Sequence, residues 1–341
     1  MNNEIYKPKK YFAIALDPIH IGTGGYRIGR VDNTIVREPA TGIPKIPGTT
    51  IEGNCRNYAF LDAKSDGRLE GNLACAKGKK VKGDDGKDIQ PCGECEICIT
   101  FGYTKDDKSM QAMASFSDAR ILFFPVATMI GPVWVTCPMV LKDAGIRESN
   151  NDSEKEIPEP VGNKFIIPNG CKIQPPEEKL NFGWLLLEKD NKDINPETWN
   201  LKGIPKDILN RIVIVPDDLF PQIINSNLEV RTSVSIDPLT GTAEEGALFT
   251  YEAIPRGTVF WFEVIYQNPK YFGIDKIKTK DNEKDANINE IINTVKSGLK
   301  YFEFLGVGGM SSRGFGRLKV LNLETSNNNI ENGEEDGKSE E

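Results

Sequence analysis

A chain of 341 residues with a single histidine, His20, has no paired imidazoles to work with. That excludes HExxH zincins and His-rich metal sites, and any Ser-His-Asp triad would have to use His20. No run of about 18 apolar residues occurs, so no bilayer-spanning helix is expected. The opening MNNEIYKPKKYFAIAL has no signal-peptide core with a small-residue cleavage site, which predicts a cytoplasmic protein. Basic excess is also lacking. The net charge is −8, of which the segment from Leu321 onward, with seven acids and Lys338, carries −6. A body at −2 is not a whole-surface electrostatic binder of nucleic acid, so any such binding runs through a local groove or a larger assembly. No repeat of about 20–50 residues is visible. Sixteen Phe, nine Tyr and four Trp are enough to build a core.

Residues 10–20 alternate well enough for a strand, and a glycine turn, GTGGYRIGR, follows. Thr49 and Glu52 match a capping box, and Ile51, Cys55, Tyr58 and Leu61 recur at helical spacing beside Ala59, which predicts a helix over 50–64. Residues 116–141 read as strands, 161–226 resist placement, 227–266 read as a hairpin, and 288–306 as helix leading through a glycine loop to a last strand. Strands and helices without regular alternation indicate an α+β fold.

Seven cysteines occur, four of them as Cys75-x16-Cys92-x2-Cys95-x2-Cys98. The x2 spacing lets neighbouring thiolates reach one tetrahedral ion, which favours structural zinc. An iron–sulfur site and four reduced thiols remain the alternatives. Cys55 and Cys137 read as core. The run Gly306–Gly316 contains no Gly-Lys-Ser/Thr and leads into a strand, so it is neither a Walker loop nor a dinucleotide fingerprint. Gly22–Gly25 with Arg27, Arg30 and Arg37 beyond it, Pro47-Gly48 before the helix, and the 306–316 loop with Ser311, Ser312 and Arg313 make three phosphate-friendly elements. Each alone is also an ordinary turn; together they suggest a polyanionic chain as ligand.

The blocks LDPIHIGTGGYRIGRVDNTIVREPATGIPKIPGTTIEGNCRNYA, CGECEICITFG, FSDARILFFPV, GPVWVTCP, RTSVSIDPLTGTAEEGALFTYEAIPRGT and GVGGMSSRGFGRLKV, in this order, resemble the RAMP superfamily of CRISPR effector proteins. Within it they are most similar to the Cmr-type backbone subunits of type III-B complexes, in the Cas-seven group. The resemblance implies an RRM-like, ferredoxin-like palm assembled from 1–64, 101–145 and 257–321. It further implies an irregular lid insertion at 146–227 and a β-hairpin thumb at 228–256; the cysteine spacing makes 65–100 a zinc-binding insertion, and the acidic composition predicts a disordered, dispensable tail at 322–341.

It also implies partners: a CRISPR guide RNA, a target RNA, other Cmr-type subunits and copies of the chain in a filament, with no membrane. Target RNA would be cut beside each thumb with Mg²⁺. Asp32 maps to the family's catalytic aspartate; by pattern alone, an Asp before Asn is a turn former. RNA contacts map to His20, Arg37, Lys45, Thr49, Thr50, Arg56, Met310, Ser311, Ser312 and Arg313, with Leu248, Phe249 and Tyr251 as thumb wedges. His20 either touches RNA or packs under the glycine loop, and packing is the favoured reading. Family members usually carry Ser-Ser and a nearby Lys at the helix start. Here Glu52 replaces the cation, which leaves Lys45 and Arg56 to supply charge. Asp118 is the competing carboxylate, with a structural role expected. Held in line, RNA can be cleaved by its own 2′-hydroxyl with one carboxylate assisting, which suits a chain without His pairs. A purely structural filament subunit, the related type III-A subunit, and a mononucleotide-binding enzyme are the alternatives.

Overall fold

The computed structural model describes residues 5–24, 31–69, 72–106, 108–150 and 153–323. Gly25, Arg27, Arg30 and the acidic tail beyond Leu323 lie outside the described residues. Four strands and two helices form the core: β1 (Tyr6–Ala15), α1 (Gly48–Ser65), β2 (Ala119–Thr128), β3 (Val259–Gln267), α2 (Ile288–Leu299) and β4 (Leu318–Val320). They run β2-β3-β1-β4 across the sheet, every neighbouring pair antiparallel. That βαββαβ order is the ferredoxin-like arrangement expected of the palm.

The helices pair because each offers a stripe of small or branched side chains. Ile51, Cys55, Ala59 and Ala63 are buried at four-residue steps on α1, and Ile291, Val295 and Leu299 on α2. At the crossing a Cβ on Gly298 would lie 2.2 Å from the Cys55 carbonyl oxygen. Leu61, expected on the buried stripe, is instead 50% exposed, because Phe60 and Ala63 take the inward positions. The Thr49–Glu52 capping box does not form. The helix begins at Gly48 with Pro47 before it, and Asp118 Oδ1 accepts from the Gly48 N–H at 2.8 Å. A carboxylate from another element thus caps α1. It also pairs with Lys45 at 2.6 Å, the structural role expected for it. Glu52 instead faces Arg56 at 3.9 Å.

Two sequence readings are corrected. The stretch 116–141 is not strand throughout: after the strand Gly131–Thr136, Pro138–Asp143 is a helix, since Pro138 lacks an N–H for the ladder and suits the first helical turn. The segment 146–227 is not an irregular lid. Its strands Lys164–Ile166, Lys179–Phe182, Leu185–Asp190 and Ile212–Ile214 continue the main sheet from the edge of Gly131–Thr136, giving eleven strands among the described residues. Each spans only three to six residues, too short for a period to stand out in the sequence.

Glu229–Ile236 and Ala243–Ala253 form a separate two-stranded hairpin. Its base is buried through Ala253 and Ile254, while Leu239, at its turn, is 94% exposed. Among the described residues no helix is long and apolar enough to cross a membrane.

Candidate active site and thiol cluster

The hairpin base meets two loops of the palm. Asn33 N–H donates to the Thr250 carbonyl at 3.0 Å and Glu252 N–H to the Asn33 carbonyl at 3.0 Å, so the loop after β1 runs as a short rung beside the hairpin. Asp32 is fixed there by one residue. The Thr250 N–H and hydroxyl donate to Asp32 Oδ2 at 2.9 and 2.7 Å, while the same hydroxyl oxygen accepts from the Asp32 N–H at 2.9 Å. These bonds, the backbone N–H first, hold the Asp32 carboxyl below the usual carboxylate range. Among the described residues Oδ1 has no hydrogen-bond partner, so a half-exposed anionic oxygen faces outward.

Two residues along the strand, buried Glu252 braces the rest of the loop. Its Oε2 accepts from Ile35 N–H at 3.2 Å and its Oε1 from Arg37 Nη2 at 2.6 Å. Arg37 also donates from Nε to Asn225 Oδ1 at 2.9 Å and from Nη1 to the Ile35 carbonyl at 3.0 Å. Arg37, expected on RNA, therefore spends its guanidinium on partners within the chain.

His20 is 7% exposed, and its Nδ1 donates to the Glu252 carbonyl at 2.6 Å. The ring packs edge-on to Tyr251 and Phe315, and its carbonyl accepts from Gly309 N–H. Packing under the glycine loop, the favoured reading, is the arrangement found. Gly308 has φ +82°, and a Cβ there would lie 2.3 Å from Ile21 Cδ1, so only glycine lets the 306–316 loop close on His20 and Ile21. Met310 itself sits at φ +61° and leads a 3-10 turn of exposed Ser311, Ser312 and Arg313.

A cavity of about 680 Å³ opens between these loops, lined by His20, Thr23, Asn33, Tyr251, Met310 and Arg313 among others. The structure thus gathers His20, the Asp32 loop, Tyr251, Met310 and Arg313. It does not bring Lys45, Thr49, Thr50 or Arg56 to this cavity. Lys45 is paired with Asp118, Thr49 is exposed at the start of α1, and Thr50 donates its N–H to the Pro47 carbonyl. Leu248 lies on the opposite hairpin face, across from Val234, and is 64% exposed; Phe249 is half-buried. Thr250 and Glu252 were missed by sequence reasoning: nothing local marks a strand residue whose partner is 218 positions away.

Arg56 is a correction. It is 8% exposed, and Nε and Nη2 donate to the Cys75 carbonyl and Nη1 to the Phe101 carbonyl at 2.8–3.2 Å. It anchors the cysteine segment and offers no head group to a surface ligand. The Sγ atoms of Cys75, Cys92, Cys95 and Cys98 all lie within 4.8 Å of one another. Cys92 and Cys98 are 3.9 Å apart, against about 3.8 Å for two sulfurs of a tetrahedral zinc site. The N–H groups of Cys92, Cys95 and Cys98 point at neighbouring sulfurs at 3.4–3.5 Å. Hydrogen bonding among the thiols, chiefly with Cys75, holds the Cys92 thiol below its usual range and pushes Cys95 up. The cluster can bind a metal ion.

A ferredoxin-like palm carrying a separate hairpin, with the Asp32 carboxylate held at its base, defines a class, and sequence comparison agrees. The RAMP superfamily model matches residues 13–319, so this chain belongs to that superfamily. It is similar to the CRISPR system Cmr endoribonuclease Cmr4 of Pyrococcus furiosus, 30% identical over 92% of this chain and 95% of that one. The Cms endoribonuclease Csm3 of Methanocaldococcus jannaschii is 23% identical over 87% of this chain and 71% of its own. Among solved structures, a chain of a type III-B Cmr-beta complex bound to cognate target RNA shares the fold with a TM-score of 0.61 at 14% identity, over 93% of this chain and 98% of that one.

Proposed function

We propose that this chain is a guide-RNA-binding backbone subunit of a type III CRISPR effector complex, acting in the cytoplasm with other Cmr-type subunits and with copies of itself, and that it cuts complementary target RNA beside Asp32. One observation carries the reading: a carboxylate aimed by Thr250 at the junction of hairpin and palm, beside a nucleotide-sized cavity. Among the described residues no group of three or more acids, histidines or cysteines gathers there. Asp32 Oδ1 would therefore hold a hydrated Mg²⁺ together with RNA phosphate oxygens, or accept a proton from the attacking 2′-hydroxyl. Bound Mg²⁺ would offset charge on the reacting phosphate. Tyr251 and His20 line the space into which an unstacked nucleotide fits, and exposed Leu248 faces outward as a wedge. Arg313, Ser311 and Ser312 supply donors for phosphate, and Thr49, Thr50 and Lys45 form a second set at the α1 start.

The four thiolates hold structural Zn²⁺. Sulfurs this close fit one mononuclear ion, whereas a polynuclear iron–sulfur core would spread them further apart.

The test is to assemble the chain with partner subunits and guide, and to compare wild type with Asp32→Ala on complementary RNA with Mg²⁺. Cuts at regular intervals, lost in the variant while target binding persists, are expected. Equal cutting by both moves the chemistry elsewhere, and binding without cutting by either makes the chain a structural subunit only.

A further inference from the structure

The side of the hairpin that carries Tyr251 also carries Arg231, directly across the ladder from it. The Arg231 guanidinium reaches off the hairpin and onto the 306–316 loop. It lies over the Phe315 ring, 4.7 Å from the centroid, and its Nη1 donates to the Gly314 carbonyl at 3.2 Å. Its Nε donates to Glu229 Oε1, two residues back on the same strand, at 2.6 Å. A carboxylate of its own strand, a loop carbonyl and an aromatic face thus orient one planar head group.

Phe315 is 4% exposed and packs edge-on to His20, whose ring in turn meets Tyr251 edge-on. Because Tyr251 and Arg231 are cross-strand partners, Arg231, Phe315, His20 and Tyr251 close a circuit between hairpin, loop and palm. His20 and Tyr251 line the 680 Å³ cavity with Gly309, Met310 and Arg313 of the loop; Arg231 stands behind them. The two ends of the loop are pinned to each other and to the palm. Val307 N–H donates to the Gly316 carbonyl at 2.8 Å, and Gly316 N–H to the Pro18 carbonyl at 2.9 Å. The stretch that faces the cavity hangs between two ties: Gly309 N–H on the His20 carbonyl at one end, Arg231 on Gly314 and Phe315 at the other.

We propose that Arg231 is a positioning residue for target cleavage: it holds the 306–316 loop against the hairpin and so sets the width of the cavity that takes the unstacked nucleotide. This rests on the reading of that cavity given above. Arg231 acts on the nucleotide and not on the carboxylate, since Thr250 holds Asp32 from the opposite side of the hairpin. A reacting group displaced by about 1 Å can lose about 10²-fold in rate, so a loosened wall is felt in the chemical step. A guanidinium already engaged on three sides also differs in task from the exposed Arg313 at the cavity rim.

The test compares wild type, Arg231→Ala, Arg231→Lys, Phe315→Leu and Asp32→Ala in the assembled complex with guide and Mg²⁺. The target carries 2-aminopurine at the nucleotide beside the hairpin, whose fluorescence reports unstacking whether or not the strand is cut. For Arg231→Ala the single-turnover rate at saturating target should fall at least about tenfold, with target affinity within about twofold. The 2-aminopurine signal should change, the Gly309 amide should exchange faster, and the pH–rate profile should keep its position, because the Asp32 bonds are intact. Arg231→Lys keeps the charge beside Glu229 but not the flat contact, and should recover little. Phe315→Leu removes the ring beneath the guanidinium and leaves the hairpin ladder alone. It should reproduce the pattern, and adding Arg231→Ala to it should cost little more; it decides the matter if Arg231→Ala does not assemble. Asp32→Ala should lose cleavage and keep the wild-type fluorescence and exchange. Cutting by Asp32→Ala refutes the role of Asp32 alone, and the fluorescence and exchange of the Arg231 variants then decide. A wild-type rate and signal in Arg231→Ala, or a loss carried wholly by target affinity as for a phosphate contact, overturns the proposal. So does a pH–rate profile shifted along the pH axis, or 2-aminopurine that stays stacked in wild type.

Discussion

Arg37 separates a brace from an RNA contact. Replacing it with Ala removes a 2.6 Å ion pair to Glu252 and two further bonds, to Asn225 and to the Ile35 carbonyl. The Glu252 side chain is 12% exposed and would keep only the Ile35 N–H on its carboxylate, while the Arg37 side chain is 27% exposed. Breaking a fully buried pair costs about 3–5 kcal/mol, and an exposed pair is worth about 0–1 kcal/mol. This pair lies between, so the expected loss is about 2 kcal/mol, discounted for the solvent that reaches Arg37. For a chain this long that lowers the melting temperature by about 3 °C. Amides of residues 33–37 should exchange faster, because Glu252 holds that loop. Arg37→Lys should restore little, since one ammonium cannot reach three partners in separate directions. With Glu252→Gln already present, Arg37→Ala should cost clearly less. The reasoning fails if Arg37→Ala melts within about 1 °C of wild type and RNA binding alone collapses; Arg37 would then be a surface contact.

Thr250→Val takes one of two donors from the Asp32 carboxylate. Its pKa then rises, the acid limb of the pH–cleavage profile moves to higher pH, and Thr250→Ser moves it back. Purified chain should carry about one zinc per four-thiolate cluster; under half an equivalent, unchanged by Cys92→Ser, would leave the thiols without that role. Gly298→Ala drives a methyl into the Cys55 carbonyl at the helix crossing, so calorimetry should show at least the overpacking cost of about 1–3 kcal/mol, and a wild-type transition would mean the helices have room to separate.

What the sequence displays is what repeats locally. The α1 stripe, the amphipathic α2 and the hairpin are readable because each has a period. The strands at 164–190 and 212–214 are not, being only three to six residues long each. The capping box misled for a physical reason: Asp118, seventy positions away, already supplies the acceptor that Thr49 would have offered. Asp32 stands in a turn-forming dipeptide, so only the family resemblance raised it. Arg37 and Arg56 looked like free cations because their partners, Glu252 and the Cys75 and Phe101 carbonyls, are distant in sequence or belong to the backbone.

The hairpin base assigns alternate residues to alternate tasks. Thr250 and Glu252 turn to one side, where hydroxyl and carboxylate hold the Asp32 loop; Tyr251 turns to the other and lines the cavity with His20. A slip of one residue would exchange these roles and release Asp32. The register from Glu229↔Ala253 to Val234↔Leu248 is unbroken, and the shift falls only beyond Val234, before Ile236↔Ala243. Irregularity is thus kept on the tip side of the bonded rungs. Lengthening the turn at 238–241 by one glycine should therefore leave cleavage near wild type while changing how far the tip reaches. The same glycine inserted between Leu248 and Phe249 displaces the rungs by one, and cleavage should fall to the level of Asp32→Ala with the fold intact by circular dichroism. Equal activity in the two insertions would show that the carboxylate is aimed by something other than hairpin register.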